Sequence, residues 1–545
     1  MMFRRISRAT CLLLVASVIA ALPAEAEMRG SKLGEVEFPT SGSEQAQQHF
    51  LRGLAALHSF WYEEALEAFR KSTTVDPQFM MGYWGEAMAH NHPLWREQDT
   101  EAARMALANI RDSNKVTPRE HAYLSAVKVL YGAGDKPTRD KAYASAMENI
   151  SRDYPEDLEA ACFYALSLLG FARQSDDAYR LQIQAGAITL DIFRRHPDHP
   201  CAAHYTIHAF DHPDLAILAL PAAQRYAEIA PESHHAQHMP AHIFLQLGMW
   251  PEAAASNESG WRDSVAWVKR ESLPMGLRDY HSLHWLLYVY LQQGRYKKAE
   301  EVLNLKRKDM MEPGGGRQSR EAGFHRKVGR YYERMASALI VETRRWELAA
   351  TLAEPPGSTS HDASKAPLSF IRALGAAMKG RPDAEGQLGA LRSLRKQRFE
   401  RDPFFRPERL EIWELEVAAV SQASKGNYQE AIALMKQATA LEEELPPPSG
   451  PPRVIKPTHE LLGEILLRAG RPKEAARQFA ISLKRHPNRA RSLLGAARAA
   501  AQSGDRRGAV DVYSQLLEVW AQADAEMPEL HEVREYIAQA GEKVG

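Results

Sequence analysis

461-LLGEILLRAGRPKEAARQFAISLKRHP-487 is the stretch from which the rest of the chain can be read. Gly470, Ala475 and Phe479 recur 34 residues later as Gly504, Ala509 and Tyr513. Leu462 and Gly463 precede the first set, and Pro487 closes it. Apolar residues at helical spacing on both sides of a glycine, ended by a proline, predict two antiparallel helices joined by a tight turn. The small residues fall where the helices cross, because a large side chain there would pry them apart. A fixed 34-residue period means that such hairpins stack, each burying against its neighbour an apolar face that it cannot cover alone.

Working outward, the same signature stands at Gly53, Ala65, Phe69 and Pro77, within 49-HFLRGLAALHSFWYEEALEAFRKSTTVDP-77. Weaker units are marked by Gly248/Ala253, Gly294/Ala299 and Gly426/Ala431. Counting back from Pro231 gives consecutive units at 200–233 and 234–267, and a third begins near Tyr280. The glycine pair, the alanine–aromatic step and the closing proline resemble a tetratricopeptide repeat. That resemblance implies an all-α solenoid of helical hairpins, wound as a right-handed superhelix with a concave groove. Between 300 and 410 the pattern weakens, so helices are expected there without assigned repeats.

The chain divides into a leader at 1–26, an N-terminal solenoid at 27–310, a helical middle region at 311–445 with degenerate repeats, and a last part at 446–545. Three glycines mark a loop at Met311–Arg320, which lacks the Gly-Lys-Ser/Thr ending of a phosphate-binding loop. Pro355–Pro367 reads as another loop. Pro446–Pro457 reads as a stiff connector ahead of the final repeats.

Arg4, Arg5 and Arg8, the apolar run Cys11–Leu22 and Ala24-Glu25-Ala26 make a secretory signal peptide cut after Ala26. Twelve apolar residues are too few to span a bilayer, so a mature chain without an integral membrane segment is expected in a bacterial periplasm or outside the cell. Lysine plus arginine equals aspartate plus glutamate at 69 each, which argues against nucleic acid as the partner. Cys162 and Cys201 remain in the mature chain and occupy adjacent units, where a disulfide is geometrically feasible.

Beyond the generic repeat, the mature chain is similar to bacterial exported proteins of the tetratricopeptide repeat protein 38-like kind. The segments that carry this are HSFWYEEA at 58–65, YWGEAMAHNH at 83–92, HMPAHIF at 238–244 and YHSLHWLLY at 280–288. This resemblance implies a helical solenoid and no particular activity.

Those segments are rich in histidine. Eleven of the 21 histidines lie between 196 and 284. His204/His208 and His238/His242 are both spaced i, i+4, and the second pair is the first displaced by 34 residues. One turn of helix puts each pair on a single face. In the repeat register His204 and His238 take the fifth place of helix A, His208 and His242 the ninth, and His235 and His281 the second, with His284 on a fifth place. Those places line the groove.

Two uses of the groove follow. In the first, His235, His281, His284, Tyr205, Trp84 and His90 contact a peptide, a partner segment or a small molecule. In the second, His204, His208, His238 and His242 are metal ligands for Zn, Cu or Fe, with His235, His281 and His284 as further ligands or supports, since paired imidazoles on adjacent helices converge naturally. Glu86, Met81, Met88, Cys162 and Cys201 are lesser candidates, and soft sulfur ligands among them would favour copper. Histidines that only hydrogen-bond to one another and to Tyr205, Tyr280 or Tyr288 remain the structural alternative. The ten tryptophans are expected mostly in the packing between helices.

Overall fold

The computed structural model describes residues 32–111, 114–172, 178–312, 328–329, 331–352, 366–401 and 407–541. The leader and most of the two loops at 311–320 and 355–367 lie outside them. Helical hairpins follow one another throughout, from Glu44–His58 and Tyr62–Val75 to Ala490–Ser503 and Arg506–Val519. Among the described residues the strands are a two-residue pair, Asn91–His92 with Glu97–Gln98, joined antiparallel. The chain is an all-α solenoid of tetratricopeptide-like hairpins, and the weakly patterned stretch after residue 300 is helical as well, at Tyr296–Met311, Tyr332–Thr343, Ala366–Met378 and Ala384–Arg401.

The small residues act as the pattern requires. A Cβ on Gly53 or Gly85 would sit 2.8 or 2.3 Å from the ring of Phe69, and on Gly463 or Gly495 it would sit 2.7 or 2.3 Å from Phe479. Each aromatic ring therefore inserts between two helices whose backbones approach it directly, and the described buried apolar residues fall into three clusters, each shared by several hairpins.

Two features bend the solenoid back on itself. Trp250 Nε1 donates to the Asn488 carbonyl at 2.9 Å, and Trp520 Nε1 to the Gln292 carbonyl at 3.2 Å, docking the last repeats on the middle ones. Gly248 and Gly294, both at positive φ, end the helices Pro240–Gln246 and Tyr280–Gln292 just where Asn488 and Ala523 press against them. The proline-rich connector is not a free spacer. Pro448 O accepts from Gln246 Nε2 at 2.7 Å, and Gly450 lies against the indole of Trp285.

Cys162 and Cys201 form a disulfide with their Cα atoms 6.1 Å apart, joining the helices Leu158–Ala172 and Pro200–Ala209. No described helix is long and apolar enough to cross a membrane.

Candidate metal centre

Three helices that alternate along the chain with Ala216–Ile229 and Trp250–Arg270 carry the histidines. Pro200–Ala209 begins with Pro200, whose missing N–H costs nothing in a first turn. The next is split: Ser233 caps His234–His238 by accepting from Ala236 N, and Pro240 opens Pro240–Gln246. Met239 keeps helical angles (φ −56°, ψ −35°), so His238 and His242 still share a face. The third helix, Tyr280–Gln292, starts at Asp279, whose side chain accepts from the backbone N–H groups of His281 and Ser282.

The structure sorts these side chains into two triads, His204–His208–His235 and His238–His242–His281, each offering nitrogens within 4.8 Å of one another. Each takes the i, i+4 pair of one helix and the second-place histidine of the next, so the repeat has duplicated the arrangement. His204 Nε2 lies 3.1 Å from His208 Nε2 and 3.2 Å from His235 Nε2. Three nitrogens bonded at 2.0–2.1 Å to one tetrahedral ion would stand about 3.4 Å apart.

The opposite edges of the rings are held. His204 Nδ1 donates to the His58 carbonyl at 2.6 Å, His238 Nδ1 to Asn257 Oδ1 at 2.8 Å and His242 Nδ1 to Asp211 Oδ2 at 2.7 Å. Each bond fixes the tautomer and turns the Nε2 lone pair inward. Burial disfavours the cationic ring, lowering His204 to about 3 and His238 to about 4, and it holds His235 and His281 well below the ordinary imidazole value. His238 Nε2 is buried without a hydrogen-bond partner.

This is a poor hydrogen-bonding arrangement for imidazoles alone. With its proton on Nδ1, His204 has a single lone pair at Nε2, and two neighbouring nitrogens approach it. One in-plane lone pair accepts one donor well, and a second N–H aimed at the same point repels the first. A cation placed among the three satisfies all of them.

Residues that the histidine register does not single out complete the surroundings. Phe60, in the turn between the first two helices, sets its ring 4.3 Å from His204, 5.6 Å from His208 and 5.8 Å from His235. Trp285 covers the second triad at 4.2 Å from His242, 5.2 Å from His238 and 5.3 Å from His281. Both belong to segments quoted above, HSFWYEEA and YHSLHWLLY. Asp211, just beyond the helix Pro200–Ala209, also accepts from Gln246, the same amide that holds Pro448.

Other expected site residues fall elsewhere. Trp84 is 1% exposed and packs among Phe38, Phe50, Tyr123 and Phe163, so it is core and lines no groove. Tyr205 is also fully buried, its hydroxyl 2.9 Å from His58 Nδ1 behind the first triad. Tyr205 is closed in by His58 of the first hairpin, and Trp84 by rings from the segment before that hairpin, from the hairpin itself and from two later helices. His284 stacks on Tyr331 at 4.8 Å, outside either triad. His90 lines an open cleft with Tyr62, Glu63, His92 and Glu97. That cleft is linked to the first triad through Trp95, which is 42% exposed, packs against Tyr62 and lies 6.1 Å from His235. Glu86 pairs with Arg70, Met81 and Met88 are core, and both cysteines are in the disulfide, so none of these reaches the centre.

A tetratricopeptide repeat family profile matches residues 47–79 and 280–305. The chain is similar in structure to the P58(IPK) tetratricopeptide domain (15% identity, 71% of this chain and 98% of that one, TM-score 0.22). It is also similar to yeast Tom70 (11%, 92% and 90%, TM-score 0.28) and to the human IFIT1 dimer with m7Gppp-AAAA (13%, 94% and 92%, TM-score 0.32). No curated protein matches the sequence.

Proposed function

We propose that this tetratricopeptide-repeat protein is a metalloprotein whose two histidine triads each bind a transition-metal ion. The observation that carries the reading is the approach of His208 and His235 to the one free lone pair of His204, at 3.1 and 3.2 Å. Neutral rings, fixed tautomers and a buried unpartnered nitrogen on His238 support it. Zinc, copper and iron all accept imidazole.

The repeat fold is suited to protein interaction, and a groove that grips a peptide or small molecule is the second reading. The geometry favours it less. His204 and His238 are 0% exposed, and the rings of Phe60 and Trp285 lie over the triads. A partner would dock on outer helix faces or in the cleft beside Trp95. The disulfide supports our placing the protein in an oxidising compartment, as an exported bacterial chain.

The test is elemental analysis of untagged protein after reconstitution with Zn, Cu and Fe salts, beside His204→Ala/His208→Ala and His238→Ala/His242→Ala variants. The expected result is two ions per chain in the parent and one in each variant. A parent that takes up no metal would sink the proposal.

A further inference from the structure

We propose that Cys162, Cys201 and His199 form a third metal site in the chain whose disulfide is open, so that the bridge and the ion exclude each other. The three residues lie outside both triads, and the site does not depend on the metal reading of those.

Two short stretches supply the side chains. Glu159 and Cys162 are spaced i, i+3 in the helix Leu158–Ala172 and share a face. His199 and Cys201 flank Pro200 at the start of the helix Pro200–Ala209. Cys201 therefore lies in a first turn, where the helix dipole favours the thiolate, the form that binds metals. Both sulfurs and one ring nitrogen of His199 lie within 4.8 Å of one another, and all three residues are buried.

His199 points to an ion. Glu159 stands between two imidazoles, with Oε2 2.5 Å from His58 Nε2 and Oε1 3.0 Å from His199 Nε2. A carboxylate only accepts, so His199 carries its proton on Nε2 and a lone pair on Nδ1. That Nδ1 is buried without a hydrogen-bond partner, in a residue 4% exposed. A buried acceptor left unsatisfied is costly, and a histidine held through its other nitrogen by a carboxylate is how metal ligands are commonly oriented. Two cysteines and one histidine form a set that zinc takes with one further ligand. Thiolates bonded to zinc at about 2.3 Å stand about 3.8 Å apart, which a Cα separation of 6.1 Å accommodates.

The bridge and the ion differ in electrons. Closing the bridge takes two electrons and two protons from the thiols, and a disulfide partner accepts them as it becomes two thiols. Binding zinc releases the same two protons and transfers no electron. Both cysteines are 0% exposed, so the choice falls while the chain folds around them.

The experiment refolds the mature chain without oxygen, its thiols reduced by a phosphine, in the presence of cobalt(II). The oxidised chain and a His199→Ala variant are run beside it. The triads hold only imidazoles, so thiolate-to-cobalt charge-transfer absorption reports this site alone. The expected outcome is that absorption, with one more ion per chain, in the reduced parent, and its absence from the oxidised chain and from His199→Ala. Zinc in place of cobalt should shield both thiols from oxidised glutathione until a chelator removes it. No such absorption in the reduced parent, an undiminished one in a folded His199→Ala, or thiols that oxidise equally fast with and without zinc would overturn the proposal and leave the triads standing. If His199→Ala fails to fold by circular dichroism, the shielding of the parent's thiols decides.

Discussion

His242 Nδ1 and Asp211 Oδ2 are 2.7 Å apart, and this bond joins the second triad to the rest of the fold. Asp211 accepts in turn from Gln246, whose amide also donates to Pro448 in the connector. An imidazole held by a carboxylate keeps its tautomer and becomes a stronger donor to a metal. Asp211→Ala should therefore weaken metal binding at the second triad by roughly 10–100-fold. Competition with a chelator measures this, and an unchanged affinity would show that the carboxylate does not support the ligand.

Gly450 tests the same triad from the other side. Its φ is +140°, and a Cβ there would fall 2.4 Å from Trp285 Cζ2. Gly450→Val must displace either the connector or the indole that covers His238, His242 and His281. The expected outcome is one ion per chain where the parent binds two, with the first triad unaffected. Retention of both ions would show that the connector's contact with Trp285 is incidental to the site.

Much of this was legible in the sequence, and the reasons for the remainder are specific. Gly470 and Gly504, or His204 and His238, could be read because a strict period converts sequence distance into spatial register. Phe60 could not, because it sits in a turn at left-handed φ, where helical periodicity says nothing. The composition of Pro446–Pro457 gives stiffness but not the surface on which the segment lands. The helical spacing of Trp84 suits either a groove or the packing between helices, and its burial is decided by the elements that close around it. Asp211 lies beyond its helix, and its reach to His242 is a tertiary fact.

Lys306 offers a test of stability alone. Its ammonium lies 3.6 Å from the centre of the Tyr280 ring, and burial lowers its pKa from 10.5 to about 7 despite Asp309 and Glu333 nearby. The unfolded chain thus binds this proton more tightly than the folded one. Between about pH 7 and 10.5 the stability contributed by this group rises with pH, and below that window its penalty is fully present. Lys306→Met, similar in length and uncharged, should stabilise the protein near pH 7 by on the order of 2–4 kcal/mol. The gain should fade as pH approaches 10.5. Chemical denaturation across that range measures it, and a variant less stable at pH 7 would show that the cation's contact with Tyr280 outweighs its burial.

Arg489 is the corresponding test of how the ends of the solenoid are joined. Its guanidinium is 0% exposed and donates to Glu460 at 2.7 and 3.0 Å, to Glu342 at 2.6 Å and to the Tyr288 hydroxyl at 3.0 Å. Tyr288 lies in the same helix as His281 and Trp285, so the network ties the last repeats to the wall of the second triad. Replacing Arg489 by Met leaves Glu342 without this cation and Glu460 with Lys456 alone. Breaking a buried pair in this way costs about 3–5 kcal/mol. The carboxyl of Glu460, held well below the usual range by Arg489 and Lys456, should move upward in the variant. In the parent its contribution is present above the unfolded carboxylate pKa and lost as pH falls through the folded one. The variant should therefore lose stability mainly at neutral pH and recover part of the difference in acid. An equal loss at pH 4 and pH 7 would mean that packing around Arg489, and not its charge, holds the last repeats in place.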